Sequence, residues 1–317
     1  MGRDHDCILH ITLLCVAMLL GSVASAQTMY KYRGANGEWI FSDRPPDDGQ
    51  AAETRALQST SPKGEFTVTN AFNGSGLTFT ARNSFHAPME VGVEFSSIDG
   101  VAFPHPDKRL SWVVPARTDL VLLELDALGG TAVPSVEYRY VYLPGDPTQP
   151  PGSEVDYRAP FSVGKSFSIT QTYPDSSTHR TRDSMYAVDV AMPVGTDIVA
   201  ARDGIVFDVA STNFKGGPDA GQFANLANLV RILHDDGTFA VYAHLNWNSI
   251  RVRPGEQVRA GQYIADSGNT GFSSGPHLHF AVQRNMGMRV DSVPIAFRGA
   301  SSSRVAPATG SVLTAYR

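Results

Sequence analysis

The segment Gly275-Pro276-His277-Leu278-His279-Phe280 decides how the rest of this chain is read. In a β-strand, residues i and i+2 share a face. As a strand, the segment points His277 and His279 one way, and Leu278, Phe280 and Val282 the other way into a core. Two imidazoles about 7 Å apart on one rigid strand can divide two jobs at one centre. One can hold a metal while the other moves protons. Upstream lie His179, Asp189 and His244, enough to complete such a site.

The surroundings of that segment also read as strands. Residues 198–200 and 205–209 are apolar runs separated by Asp203-Gly204. Residues 229–233 and 239–243 flank Asp235-Asp236-Gly237-Thr238, a hairpin signal. Residues 262–265 and 277–283 add two more strands, and almost nothing reads as a helix. Residues 154–296 are therefore expected to form a mostly β domain that holds every clustered histidine.

Working outward, residues 145–153 are a Pro-rich spacer and the clearest domain boundary. Before it, residues 64–144 alternate as six short strands, near 65–70, 76–81, 89–95, 110–114, 120–125 and 136–143. That spacing predicts a β-sandwich-like domain, with Trp112 in its core and His86 and His105 at its surface. Residues 27–47 read as a small hairpin, with aromatic strands around Asn36-Gly37, and residues 48–63 as a polar linker. The Ser/Ala/Thr/Gly-rich tail, 297–317, reads as loose. His234, beside Asp235 and Asp236, is expected to be solvated, and Arg202 to lie at the surface. Trp247 either lines a groove or packs below it.

Composition bounds the class. Of 317 residues, 42% are hydrophobic and 18% charged, which predicts a packed globular protein. The 29 glycines and 20 prolines favour turns and hence a mostly β architecture. Residues 1–26 read as a signal peptide, with an apolar run over 8–23 and the small residues Ala24-Ser25-Ala26 at its end. Both cysteines, Cys7 and Cys15, fall inside it, so the mature chain relies on its core rather than on disulfides. Cys15 lacks a small residue before it, which argues against a lipid anchor. Without Arg3, Asp4 and Asp6 the net charge moves from −5 to −4, and no basic block is present. A nucleic-acid or anionic-membrane partner is therefore not expected. The protein is expected to be exported to the periplasm or beyond the cell, with no stable membrane insertion after signal cleavage.

The chemistry rests on the polar groups of the last domain. Asp189 sits within an apolar strand, where a carboxylate is costly unless paired or metal-bound. Two neutral imidazoles and one carboxylate satisfy zinc and leave a position open for water, whose pKa the metal lowers to about 7. Two further histidines can then serve as base and as stabiliser of a tetrahedral intermediate. The same donor types also describe iron(II) oxygenases. Cupin-type sites follow His-x-His closely with a glutamate, whereas residues 280–285 here contain none. A serine or cysteine hydrolase is not expected, because the mature chain offers no cysteine and no elbow-like Gly-x-Ser-x-Gly is read in it.

The ordered landmarks make a resemblance specific. They are Tyr186-Ala187-Val188-Asp189-Val190-Ala191-Met192-Pro193-Val194-Gly195-Thr196, Ala201-Arg202-Asp203-Gly204, the run 228–237, Tyr242-Ala243-His244-Leu245, Ser267-Gly268-Asn269-Thr270-Gly271, and Ser274-Gly275-Pro276-His277-Leu278-His279-Phe280. Together, over roughly 160–296, they resemble the M23 (LytM/lysostaphin-like) zinc metallopeptidases, which cut peptides in peptidoglycan. The resemblance implies an antiparallel β core with a groove and one zinc ion held by His179, Asp189 and His279. It implies His277 as general base and His244 as its assistant at the oxyanion, with Tyr173 within reach of the transition state. One departure stands out: nine residues separate His179 from Asp189, where the commonest family spacing is three. The short module at 27–47 resembles a domain common at the start of proteobacterial envelope proteins. The rival within the family is a non-catalytic LytM-like module that binds cell wall or activates other hydrolases. Such modules usually lack several site histidines, and this chain keeps the set.

Overall fold

The computed structural model of the chain describes residues 28–33, 39–42, 45–46, 49–56, 63–129, 134–150 and 155–317. The expected signal peptide and the 34–37 turn lie outside these residues. Residues 1–59 and 60–317 form two compact units. In the first, Thr28–Arg33 lies between Trp39–Ser42 and Glu53–Ala56, antiparallel to both. The expected hairpin strands pair, and part of the expected linker adds a third strand.

In the second unit, the six expected strands of the sandwich all form. One sheet runs Phe66–Phe72, Gly76–Asn83, Thr118–Asp126, and the other Arg109–Val114, Met89–Asp99, Ser135–Pro144. Alternation does the work here: Leu77, Phe79 and Ala81 on one sheet and Met89, Val91, Val93 and Phe95 on the other are buried together. Phe79 bridges the sheets, its ring 5.4 Å from Phe95 and 5.2 Å from Tyr138. Trp112 packs half-buried against this cluster, and His105 is exposed.

A nine-stranded antiparallel sheet dominates the rest, beside three small sheets, one of which pairs Asp197–Val199 with Tyr263–Asp266. The order of the large sheet is Gln257–Val258, Gly204–Ala210, Leu229–Leu233, Phe239–Ala243, His277–Asn285, Val188–Ala191, Ser166–Gln171, Val312–Thr314, with Val290–Ser292 also paired to His277–Asn285. One face buries Val188, Val190, Val206, Val230, Ile232, Tyr242, Leu278, Phe280 and Val282. The other face carries His277 and His279 at one end. Beyond them Ala187, Phe207, Phe239, Val241, Ala243 and Ala281 share one apolar cluster with the sandwich. Both faces are thus covered, which is why all five residues of Phe239–Ala243 are buried.

The spacer expected to separate these parts is anchored to them. Gly145 N donates to Pro88 O at 2.8 Å, Asn285 Nδ2 donates to Gly145 O at 3.1 Å, and the Arg284 guanidinium donates to Gln149 O. Met288, in the turn after His277–Asn285, donates its N–H to the buried Glu90 carboxylate at 2.6 Å. Its side chain fills the space that a Cβ on Gly92 would need, 2.9 Å from Met288 Cε.

The tail is not loose. Val312–Thr314 pairs with Ser166–Gln171, and Leu313 and Ala315 enter the main core. Two apolar anchors in a small-polar segment suffice for docking, and composition averages them away. His234 and Arg202 also differ from expectation. His234 is buried, with Nδ1 2.8 Å from Asp203 O. Arg202 folds inward and pairs with Asp236 at 2.6 Å and with Asp235. The hairpin turn presents both aspartates to one guanidinium, so the charges pair with each other and leave His234 beneath them.

Candidate metal centre

Strand register builds the centre. Asp189 lies directly opposite His279 across one strand pair, and Ala243 opposite His279 across the next. Directly opposite residues place their Cβ atoms about 4.5–5.5 Å apart on a shared face. The strand ending at Ala243 therefore delivers His244 beside the same row. His244 takes a left-handed φ of 61°, an uncommon conformation for a residue with a Cβ, costing on the order of 1 kcal/mol. Its ring ends 4.5 Å from that of His277 and 5.9 Å from that of His279.

His179 arrives from a loop. The nine residues between it and Asp189 are pinned at Arg182 and Asp183 to the strand that carries His279 and to its neighbour. Ser292 donates from N at 2.8 Å and from Oγ at 2.9 Å to Arg182 O, and Gln283 Nε2 donates to Asp183 O at 2.7 Å. The longer spacing thus forms an anchored excursion, and His179 still returns to Asp189.

Ligand atoms of His179, Asp189 and His279 all lie within 4.8 Å of one another. His179 Nε2 is 3.1 Å from Asp189 Oδ2, and His279 Nδ1 is 2.9 Å from Asp189 Oδ1. Asp189 is 3% exposed. Burial by itself would raise its carboxyl, but the hydrogen bonds from His179 and His279 outweigh that and hold it well below the carboxylate range. Two imidazole nitrogens and one buried carboxylate converging on a point fit a divalent cation, which would neutralise the buried charge. Among the described residues His179 Nδ1 is buried with no hydrogen-bond partner, and its ring lies edge-on to that of His279, 5.0 Å away.

The other two histidines are held differently. His277 Nδ1 lies 2.8 Å from Gly275 O and 3.2 Å from Ser273 Oγ, and His244 Nδ1 lies 2.7 Å from Thr270 O. A carbonyl only accepts, so each Nδ1 carries the proton and each Nε2 presents a lone pair. His277 Nε2 is 3.8 Å from Asp189 Oδ2, beside the convergent three. Burial first, and then the neighbouring His277 and His279, push His244 down to about 4, so it is neutral at pH 7.

Tyr173 is exposed, and its ring lies 4.9 Å from Tyr186. Trp247 is half-buried, 6.4 Å from the exposed ring of Phe214. The sequence reading missed the groups that hold the histidines: Gln171, Thr270, Ser273 and the Gly275 carbonyl. The expectation that no Gly-x-Ser-x-Gly is present is wrong, since Gly271-Phe272-Ser273-Ser274-Gly275 has the spacing of a serine-nucleophile elbow. No helix follows it, and Ser273 is buried, with its Oγ 2.7 Å from Asn269 Oδ1 and 2.8 Å from Gly275 O, one of which takes its single proton, rather than facing a groove.

Residues 183–292 match the model of peptidase family M23. The resemblance carried by the motifs is thereby shown for that segment, and His179 lies just before it. Residues 16–65 match a domain of unknown function, DUF4124. The glycyl-glycine endopeptidase ALE-1 of Staphylococcus capitis is 38% identical over 101 residues, 32% of this chain and 25% of that one. The DD-carboxypeptidase/endopeptidase Mpg of Neisseria meningitidis is 36% identical over 109 residues, 34% of this chain and 22% of that one. The catalytic domain of the M23 protein EnpA from Enterococcus faecalis aligns at 29% identity and a TM-score of 0.32, over 42% of this chain and 92% of that one. The chain spans a quarter or less of the length of these curated relatives. The M23 relatives are hydrolases by name, and the His-Asp-His cluster in this chain suits a metal. Among the described residues, no helix is long and apolar enough to cross a membrane.

Proposed function

We propose that this protein is a zinc-dependent endopeptidase that hydrolyses peptide bonds in the stem peptides or cross-links of peptidoglycan. One observation carries the reading: a buried carboxylate and two imidazoles converge, with two further histidines oriented beside them. His179, Asp189 and His279 would hold the ion. A zinc ion there supplies Lewis acidity toward a carbonyl oxygen and toward water. His277, its Nδ1–H tied to Gly275 O, turns Nε2 toward the centre and takes a proton from the attacking water. It then returns that proton to the leaving amine. His244, held through Nδ1 by Thr270 O, stands beside His277, and its role at the oxyanion is to donate from Nε2 once that nitrogen has gained a proton. The relatives' names include both a glycyl-glycine and a DD-type bond, so the bond class is open between them. We place the enzyme outside the cytoplasmic membrane, on the strength of the apolar run at 8–23 and the small residues after it.

The test is zinc content of the purified mature protein, paired with release of peptides from purified sacculi. One zinc per chain with chelator-sensitive release supports the reading. Zinc uptake without release from sacculi of several cross-link types would overturn the peptidase assignment. No zinc and no release would favour a non-catalytic module that binds cell wall or activates another hydrolase.

A further inference from the structure

Gln171 is the last residue of Ser166–Gln171, and the strand register sets it opposite Asp189. Its amide engages both ends of the centre. Nε2 donates to Asp189 Oδ2 at 3.0 Å. Oε1 accepts from Ser177 N at 3.0 Å, Ser177 Oγ at 2.7 Å, Thr178 N at 3.2 Å and Thr178 Oγ1 at 3.2 Å. Those partners decide the orientation of the amide. The backbone N–H groups require an oxygen, and the carboxylate requires a donor. The residue after Thr178 is His179. One side chain therefore ties the buried carboxylate to the loop that carries the first imidazole.

No neighbouring group replaces it. Thr170 Oγ1 reaches Asp189, but at the main-chain oxygen, 3.2 Å away. The His179 backbone N–H is taken by Ser176 Oγ at 3.0 Å, inside the same loop. Asp189 Oδ2 faces His179 Nε2 at 3.1 Å while accepting from Gln171, so the amide sets which lone pair of that oxygen is left for a cation. Groups that orient metal ligands in this way typically change metal affinity 10- to 100-fold when removed.

We infer that Gln171 is a positioning residue for the metal centre, holding the Asp189 carboxylate and the His179 loop in mutual register. The inference rests on the proposed zinc site and goes beyond it, because Gln171 supplies no ligand atom. It explains how a ligand on an exposed loop can be placed as well as ligands on strands. The enthalpic demand of the loop's backbone donors and the geometric demand of the carboxylate are met by the same planar group. A hydrocarbon side chain of similar length fills the space and meets neither.

The experiment is a chelator-competition measurement of the zinc dissociation constant on the mature full chain. Wild type, Gln171→Met and Gln171→Asn are compared, with thermal midpoints of the chelated proteins recorded alongside. Gln171→Met is expected to weaken zinc binding about 10- to 100-fold. Gln171→Asn, one methylene short of spanning both partners, is expected to fall between it and wild type. A lower thermal midpoint with unchanged zinc affinity would mean a merely structural role and overturn the inference. If Gln171→Met does not fold, Gln171→Asn decides, and zinc affinity equal to wild type would overturn the inference. Wild type that takes up no zinc would remove the proposed function and this inference together. Tight wild-type binding with unaffected variants would remove this inference alone.

Discussion

His277 and His279 share a strand face, yet their rings are engaged through different partners. His279 turns Nδ1 onto the Asp189 carboxylate, whereas His277 turns Nδ1 onto the Gly275 carbonyl. The expected outcome is a split between metal and rate. His279→Ala should lose zinc and activity together, while His277→Ala should keep one zinc and lose about 10²- to 10⁴-fold in kcat. Metal analysis and peptide release on the two variants check this, and equal zinc loss in both would reverse the assignment. His234 makes a different prediction. Burial pushes it down to about 4, against the opposing effect of its bond to Asp203. Its folded pKa lies below its unfolded value, so the unfolded chain takes up the proton first. Stability is therefore intact above about pH 6.5 and declines as pH falls toward 4, by up to about 3 kcal/mol from this group. His244 acts in the same window and direction. In the chelated protein, the urea midpoint should fall over that window, and the fall should shrink in His234→Gln. A fall of equal depth in that variant would exclude His234 as its source.

At the scale of elements, the last strand reaches further than its length suggests. Thr309 Oγ1 accepts from Thr172 N at 3.1 Å and donates to Asp175 O at 3.1 Å, while Gly310 N donates to Ile169 O at 2.9 Å. The Thr309 bonds clamp the chain between Gln171 and His179, and the Gly310 bond holds the strand just before it. Thr309→Val removes two hydrogen bonds of roughly 1 kcal/mol each and leaves Thr172 N without its acceptor. It is expected to lower stability by about 1–2 kcal/mol and to make the loop from 172 to 179 the first site of limited proteolysis. Urea denaturation and mapping of the earliest cut check this. An unchanged cleavage pattern would show that the tail braces the core alone.

For the unit formed by residues 60–317, the double-sided burial of the large sheet governs what can be separated. Phe207, Phe239 and Val241 lie under the sandwich, on the same sheet face as the histidines. Uncovering them forfeits about 5–9 kcal/mol, at roughly 1.5–3 per side chain. A domain's whole stability is about 5–15 kcal/mol. A protein starting near residue 153 is therefore expected to be poorly soluble and to bind a hydrophobic dye, rather than to be a freed and more active enzyme. Replacing Phe239 and Val241 with polar residues should restore its solubility. A stable, fully active fragment without such changes would show that the sandwich is dispensable.

What the sequence by itself determined is whatever short-range periodicity encodes. The i, i+2 spacing of His277 and His279, the alternation of six sandwich strands and the turn signals between apolar runs depend on neighbours in the chain. They made the β architecture and the histidine cluster legible, and the ordered motifs carried the family resemblance. Tertiary structure decided the rest, because it depends on which distant residues meet. Asp189 becomes a partner of His279 only through strand register, and His179 only through a loop tied down at Arg182, Asp183 and Gln171. A solvated-looking His234 goes under an ion-paired turn, and a loose-looking tail docks on two buried side chains. A Pro-rich stretch that reads as a separator is hydrogen-bonded to both sides, while the sandwich and the large sheet share one apolar cluster. None of these has a local signature, since burial and pairing are properties of the packed chain and not of any window along it.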